Sequence, residues 1–166
     1  MDDYVYVGKI VNTHGIRGEV RIISDFEYKT RVFTVGMPIY IGRKKELEKI
    51  NSYRHHKNFE MITMDGYDNI NQVLKYKGLY VYIKKEDLHL ENGELLESDY
   101  IGLDVYVDDC LKGVIEEIRE SGGNNKFFVV RTEKGNVFVP FQNEFIKNVD
   151  ISKKRIDIKP ITGMFL

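Results

Sequence analysis

The stretch VGKIVNTHGIRGEVRI, residues 7–22, reads as two β-strands joined by a tight connection. Residues 4–11, YVYVGKIV, are dense in Val, Ile and Tyr, which favour a pleated backbone. Val20 and Ile22 then alternate with Glu19 and Arg21, the period of a half-buried strand. Between the strands Gly15 and Gly18 stand three apart, as expected of a turn that needs glycine backbone angles. Such a turn accounts for the glycines but not for His14, Arg17 and Glu19. Arg17 is suited to a phosphate, or to pairing with Glu19 along one strand face. His14 lies where a turn exposes it to RNA or to a protein partner. These three residues form the first candidate binding site.

The same rhythm runs outward from this stretch. MPIYIG (37–42), FEMITM (59–64) and GLYVYI (78–83) read as short strands, the last with Leu79, Val81 and Ile83 on one face. One helix is expected after Asp68 or Asn69, where Ile70, Val73 and Leu74 follow helical spacing and Gly78 ends the run. It is expected to plug one end of a sheet or barrel. Residues 87–97, DLHLENGELLE, are acidic, contain Asn92-Gly93 and break the pattern, as a linker does. Strands resume at GLDVYV (102–107), GVIEEI (113–118), KFFVVR (126–131), VFVPF (137–141) and RIDIK (155–159). NEFIKNV is expected to form a single helical turn. Many short strands with Gly-rich turns predict an all-β chain of two small β-barrels: one over 1–86, a linker over 87–97, and one over 98–166.

Composition narrows the function. Of 166 residues, 42% are apolar and 31% charged, which excludes a disordered chain. No apolar run reaches the roughly 18 residues of a membrane span. The start, MDDYVYVGK, lacks the basic and apolar regions of a signal peptide, so a cytoplasmic protein with no membrane partner is expected. The net charge of −1 argues against a protein that simply coats nucleic acid. Residues 1–86 carry 15 Lys/Arg against 11 Asp/Glu, and residues 87–166 carry 10 against 15. A basic half suits a phosphate-rich neighbour, and an acidic half suits a basic protein.

Catalytic constellations are not evident. His14, His55, His56 and His89 lack metal-ligand spacing, and on a strand His55 and His56 point to opposite faces. The one cysteine, Cys110, follows Asp108 and Asp109, whose charges oppose a thiolate nucleophile. There is no nucleophile elbow, Walker loop or dinucleotide fingerprint. No catalytic residue, metal or cofactor is therefore expected. The loop Ser121-Gly122-Gly123-Asn124-Asn125 reads as a hairpin tip whose polar end can serve as a docking loop.

Residues 7–22, with DGYDNINQVLKYKGLYVYIKKEDL (65–88), resemble the first domain of the RimM family of ribosome maturation factors. YIGLDVYVDD (100–109), the Gly-Gly-Asn loop, VFVPF and FIKNVDISKKRIDI (145–158) resemble a PRC-type β-barrel. The match covers nearly the whole chain in order. It implies a translation-factor-like N-terminal barrel and a C-terminal PRC barrel. It further implies a non-enzymatic factor for late assembly of the head of the small (30S) ribosomal subunit and for 16S rRNA maturation. The implied partners are the free small subunit, ribosomal protein nineteen of its head, and 16S rRNA. Where many members carry a Tyr-Tyr pair, this chain has Leu95-Leu96, with Tyr100 just beyond. Candidate protein-binding residues are then Leu95, Leu96, Tyr100, Asp108, Asp109, Gly122, Gly123, Asn124 and Asn125. The competing readings are a general RNA-binding β-barrel and an rRNA-processing enzyme.

Overall fold

The computed structural model describes residues 3–123 and 125–165. Two compact units divide between Asn92 and Gly93, within the acidic stretch read as a linker. The first unit is a closed barrel of β1 (Tyr4–His14), β2 (Glu19–Ile23), β3 (Pro38–Ile41), β4 (Glu46–His56), β5 (Phe59–Met64) and β6 (Tyr80–Lys84). Its order is β1-β2-β5-β4-β3-β6, closed by antiparallel pairing of β6 with β1. Closure leaves no unpaired edge. Val7, Ile10, Val20, Ile22, Ile39, Ile41, Ile50, Ile62, Val81 and Ile83 are buried in it. β1 is bulged between Tyr6 and Gly8 and again between Ile10 and Asn12. At Gly8 a Cβ would lie 2.7 Å from the Ile23 carbonyl oxygen, so only glycine permits this close approach.

β4 was not legible in the sequence. Its residues ELEKINSYRHH bury only Ile50, so the strand carries no alternating apolar signal. The expected helix starts where Asn69 caps it: the Asn69 side chain accepts the Gln72 N–H, and the Gln72 side chain accepts the Asn69 N–H. α2 (Ile70–Val73), which follows α1 (Lys29–Val32), then tightens to a 3-10 turn over Leu74–Tyr76. This corrects the helical spacing. The tighter turn leaves Leu74 exposed and brings Tyr76 into the core with Val73.

In the second unit, α3 (Glu97–Tyr100) precedes β7 (Asp104–Val107), β8 (Cys110–Ser121), β9 (Asn125–Thr132), β10 (Gly135–Pro140), β11 (Ile146–Asp150) and β12 (Arg155–Ile158). The strands form one sheet in the order β10-β9-β8-β7-β12-β11. NEFIKNV gives a 3-10 turn over Asn143–Phe145 and then a strand, where one helical turn was expected. β12 pairs in parallel with β7, a long-range contact that no local pattern announces. Leu103, Val105, Ile115, Phe128, Val130, Val139, Ile156 and Ile158 form the core. Phe128 and Phe141 stack at 4.5 Å, and Tyr100 meets Phe141 edge-on at 4.9 Å.

Candidate functional site

Strand register assembles a cationic face on the outside of the barrel. His14 pairs with Glu19 across β1 and β2, Arg21 with Met61 across β2 and β5, and Arg54 and His56 with Met61 and Phe59 across β4 and β5. Directly paired residues share a face, so all of these side chains lie on one surface. Met61 sits between Arg21 and Arg54 and is fully buried, as expected beneath two long arginine stems. Arg21 donates to His14 Nδ1, with Nη2 at 2.7 Å. The two imidazoles of His14 and His56 are 6.1 Å apart, and the Arg21 guanidinium lies 5.7 Å from the Phe59 ring centre.

Glu19 is the carboxylate of this face. Arg54 grips it with two hydrogen bonds of 2.8 Å, from Nε and Nη2. The Arg54 hydrogen bond is the main force holding the Glu19 carboxyl below its ordinary range. The expected Arg17–Glu19 pairing is thus replaced by Arg54–Glu19, because β4 runs where the sequence showed no strand. Arg17 stays exposed and pairs with nothing among the described residues. Its loop is nevertheless fixed. The Ile16 carbonyl accepts the Ile70 N–H at 2.9 Å, and a Cβ at Gly18 would meet the Asn69 backbone N at 3.3 Å, with Gly18 at φ +91°. Desolvation, then the Arg54 and Lys57 charges, lower the His56 pKa.

Sequence reading missed Arg21, Arg54, His56 and Phe59. The signal was present as Glu19/Arg21 and Arg54/His56, each spaced by two, but it needed β4 to be read as a strand. His55, on the opposite face, turns to Glu60, which is 2% exposed. Glu60 accepts the Tyr53 hydroxyl at 2.7 Å, lies 3.1 Å from His55 Nδ1, and has Lys29 at 3.8 Å. Burial, then the Glu60 contact, push the Tyr53 hydroxyl up to about 12. Among the described residues no group of three or more His, Cys, Asp or Glu is arranged to hold a metal ion. No helix there is long and apolar enough to cross a membrane.

The candidates of the second unit scatter over several environments. Leu96 is 2% exposed, which leaves backbone rather than side chain to meet a partner, and Leu95 is half-buried. Tyr100 belongs to the aromatic packing described above. Asp108 and Asp109 form the exposed β7–β8 turn at φ 49° and 62°. Asp109 accepts from Arg155 Nη2 at 2.7 Å, while that guanidinium lies 3.8 Å from the Tyr106 ring centre and also binds Asp157. Asp108 is therefore the freer of the two charges. Gly122, Gly123 and Asn125 sit exposed at the β8–β9 tip, where Asn125 donates to the Gly122 carbonyl at 3.3 Å. Asn124 lies outside the described residues.

Two family models match in order: the RimM N-terminal domain over residues 5–88 and the RimM PRC barrel domain over residues 97–164. Proteins named "Ribosome maturation factor RimM" are similar over almost the full length. That of Exiguobacterium sp. is 38% identical over 98% of this chain and 96% of its own. Those of Shouchella clausii and Streptococcus pneumoniae are 33% and 36% identical, covering 99% and 98% of this chain and 98% and 97% of theirs. With both domains matched and relatives above 30% identity spanning it end to end, the chain belongs to the RimM family.

Proposed function

We propose that this protein is a cytoplasmic ribosome maturation factor that works by binding the free small subunit rather than by catalysis. The barrel contacts 16S rRNA, and the second unit contacts a basic protein of the subunit head, ribosomal protein nineteen. The observation that carries the reading is the fixed outer face of His14, Arg21, Arg54 and His56, with Arg17 on a pinned loop beside it. Such groups position phosphates without supplying a nucleophile or a metal site. Charge supports the second contact. The unit from Gly93 onward has 10 Lys/Arg against 13 Asp/Glu, whereas the unit ending at Asn92 has 15 against 13.

Cosedimentation tests this reading. The protein should travel with immature or free small subunits and be lost from joined ribosomes. Equal affinity for joined ribosomes would refute it. Cleavage or modification of precursor rRNA by the purified protein would replace it with the enzymatic reading. A shallow salt dependence, with binding lost when the head protein is removed, separates it from general RNA binding.

A further inference from the structure

A second face of the barrel is paved with tyrosine. Across β1 and β6, Tyr4 pairs with Lys84, Tyr6 with Tyr82, and Lys9 with Tyr80, while Tyr40 of β3 pairs with Tyr82. These side chains alternate with buried Val7, Val81, Ile83, Ile39 and Ile41, so the rings lie outside. Tyr6 and Tyr80 are 49% and 50% exposed. The rings touch edge-to-face: Tyr4 with Tyr40 at 5.1 Å, Tyr6 with Tyr80 at 5.5 Å and with Tyr82 at 6.1 Å. Ammonium groups lie among them. Lys45 is 4.1 Å from the Tyr82 ring centre, Lys84 5.3 Å from Tyr40, and Lys9 5.8 Å from Tyr80. Among the described residues neither Lys9 nor Lys45 is in an ion pair.

We infer that this face is a stacking platform for a short run of unpaired ribonucleotides. Two features favour RNA over a protein. Edge-to-face contact occupies at most one face of a ring, leaving a π-surface on which a base can stack. The lysines stand about 4–6 Å from ring centres, so an ammonium displaced by a base still reaches its phosphate. Burial first, and then the nearby Asp25 charge, raise the Tyr6 pKa, so Asp25 marks an acidic edge to the platform. The platform is distinct from the cationic face. It uses the Tyr4 end of β1, whereas His14 lies at the other end. The inference rests on the reading that the barrel meets rRNA, and it names the state of that RNA as single-stranded.

The chain has no tryptophan, and five of its eleven tyrosines lie on the platform, so tyrosine emission carries a platform contribution that the Tyr6 and Tyr80 substitutions identify by difference. Labelled oligouridine of ten nucleotides should bind the full-length protein, quench that emission, and outcompete a ten-base-pair duplex. Tyr6→Ala with Tyr80→Ala should weaken oligouridine binding at least about tenfold, since each stacked base is worth roughly five- to a hundredfold. Tyr6→Phe with Tyr80→Phe, which keeps the rings, should stay within about threefold of wild type. Should the alanine pair alter thermal melting, Lys45→Glu gives an independent reading, with an expected loss of about fivefold or more. Unchanged affinity in the alanine or Lys45→Glu variants, or equal affinity for duplex, overturns the platform. Cosedimentation of the same proteins with immature subunits keeps the two ideas apart. Wild-type binding there, with no effect of the substitutions on oligouridine, removes the platform and leaves the proposed function standing.

Discussion

Gly113→Ala should destabilise the second unit and spare the barrel. Gly113 lies in β8 beside a bulge, paired with Val105 of β7. A Cβ there would stand 2.2 Å from the Arg131 carbonyl oxygen, 2.9 Å from Val130 Cγ1 and 3.0 Å from the Arg131 carbonyl carbon. Two of these atoms are backbone and cannot rotate away. Relief requires β8 and β9 to part locally by about 1 Å, which stretches ladder hydrogen bonds beyond useful length. Two to four such bonds, at roughly 0.5–1.5 kcal/mol each, put the loss at about 2–5 kcal/mol. A unit of about 74 residues has roughly 4–11 kcal/mol in total. Its melting should then fall by about 10–25 °C. Amide exchange resolves the two units: protection at Val129 and Val130 should collapse while that at Ile62 and Met64 persists. Gly122→Ala is the control, because a Cβ there meets nothing within 4 Å and Gly122 is exposed. A fall of less than about 4 °C for Gly113→Ala would refute the reasoning, by showing that the two strands yield without losing their ladder.

Four further outcomes follow from the sites. Arg17→Ala should weaken subunit binding several-fold with unchanged melting, since the side chain holds nothing in place; a large loss of stability would make Arg17 structural. Glu19 has a folded pKa below its unfolded value, so its pairing with Arg54 stabilises the barrel fully above about pH 4.3 and is lost as pH falls through the lower folded value. Glu19→Gln should therefore flatten the acid limb of an unfolding curve, and an unaltered limb would show that the pair carries no linkage. Asp109→Ala should cost less than about 1 kcal/mol, because the Asp109 side chain is 92% exposed and Arg155 keeps Asp157. Asp108→Lys should leave melting unchanged and weaken binding to a basic protein, as titration calorimetry would read.

Strands with apolar alternation were visible in the sequence because one face of each is buried. β5 matches FEMITM residue for residue, and β9 differs from KFFVVR only at its ends. β4 escaped because a barrel wall needs inward apolar groups only where no other side chain fills the space. In this strand Ile50 alone is buried, while Tyr53 and His55 satisfy the buried Glu60 carboxylate. The capped start of α2 was legible because Asn69 and Gln72 act locally. Its 3-10 continuation was not, since the advantage of burying Tyr76 over Leu74 exists only once the barrel is there. The candidate site suffered most from the missing strand. Glu19 and Arg54 are thirty-five positions apart, and nothing in either segment names the other.

Net charge is also a weaker guide than its division along the chain first implied. Moving the boundary to Asn92 leaves the barrel with an excess of two positive charges and the second unit with three negative ones. Charges act over a screening length of about 8–10 Å, so a partner senses a local face rather than a total. On the barrel, Arg21, Arg54 and two imidazoles surround one carboxylate, and that carboxylate is spent on orienting Arg54. In the second unit the reverse holds for its best-placed acids. Asp109 and Asp157 are consumed by Arg155, and Glu97 by Lys126 at 2.6 Å. The acidity open to a partner is then carried by groups such as Asp108 and Glu120, which flank β8 at its two ends. A basic protein that recognises this unit should meet one such local group of acids, not the acidic total of the unit.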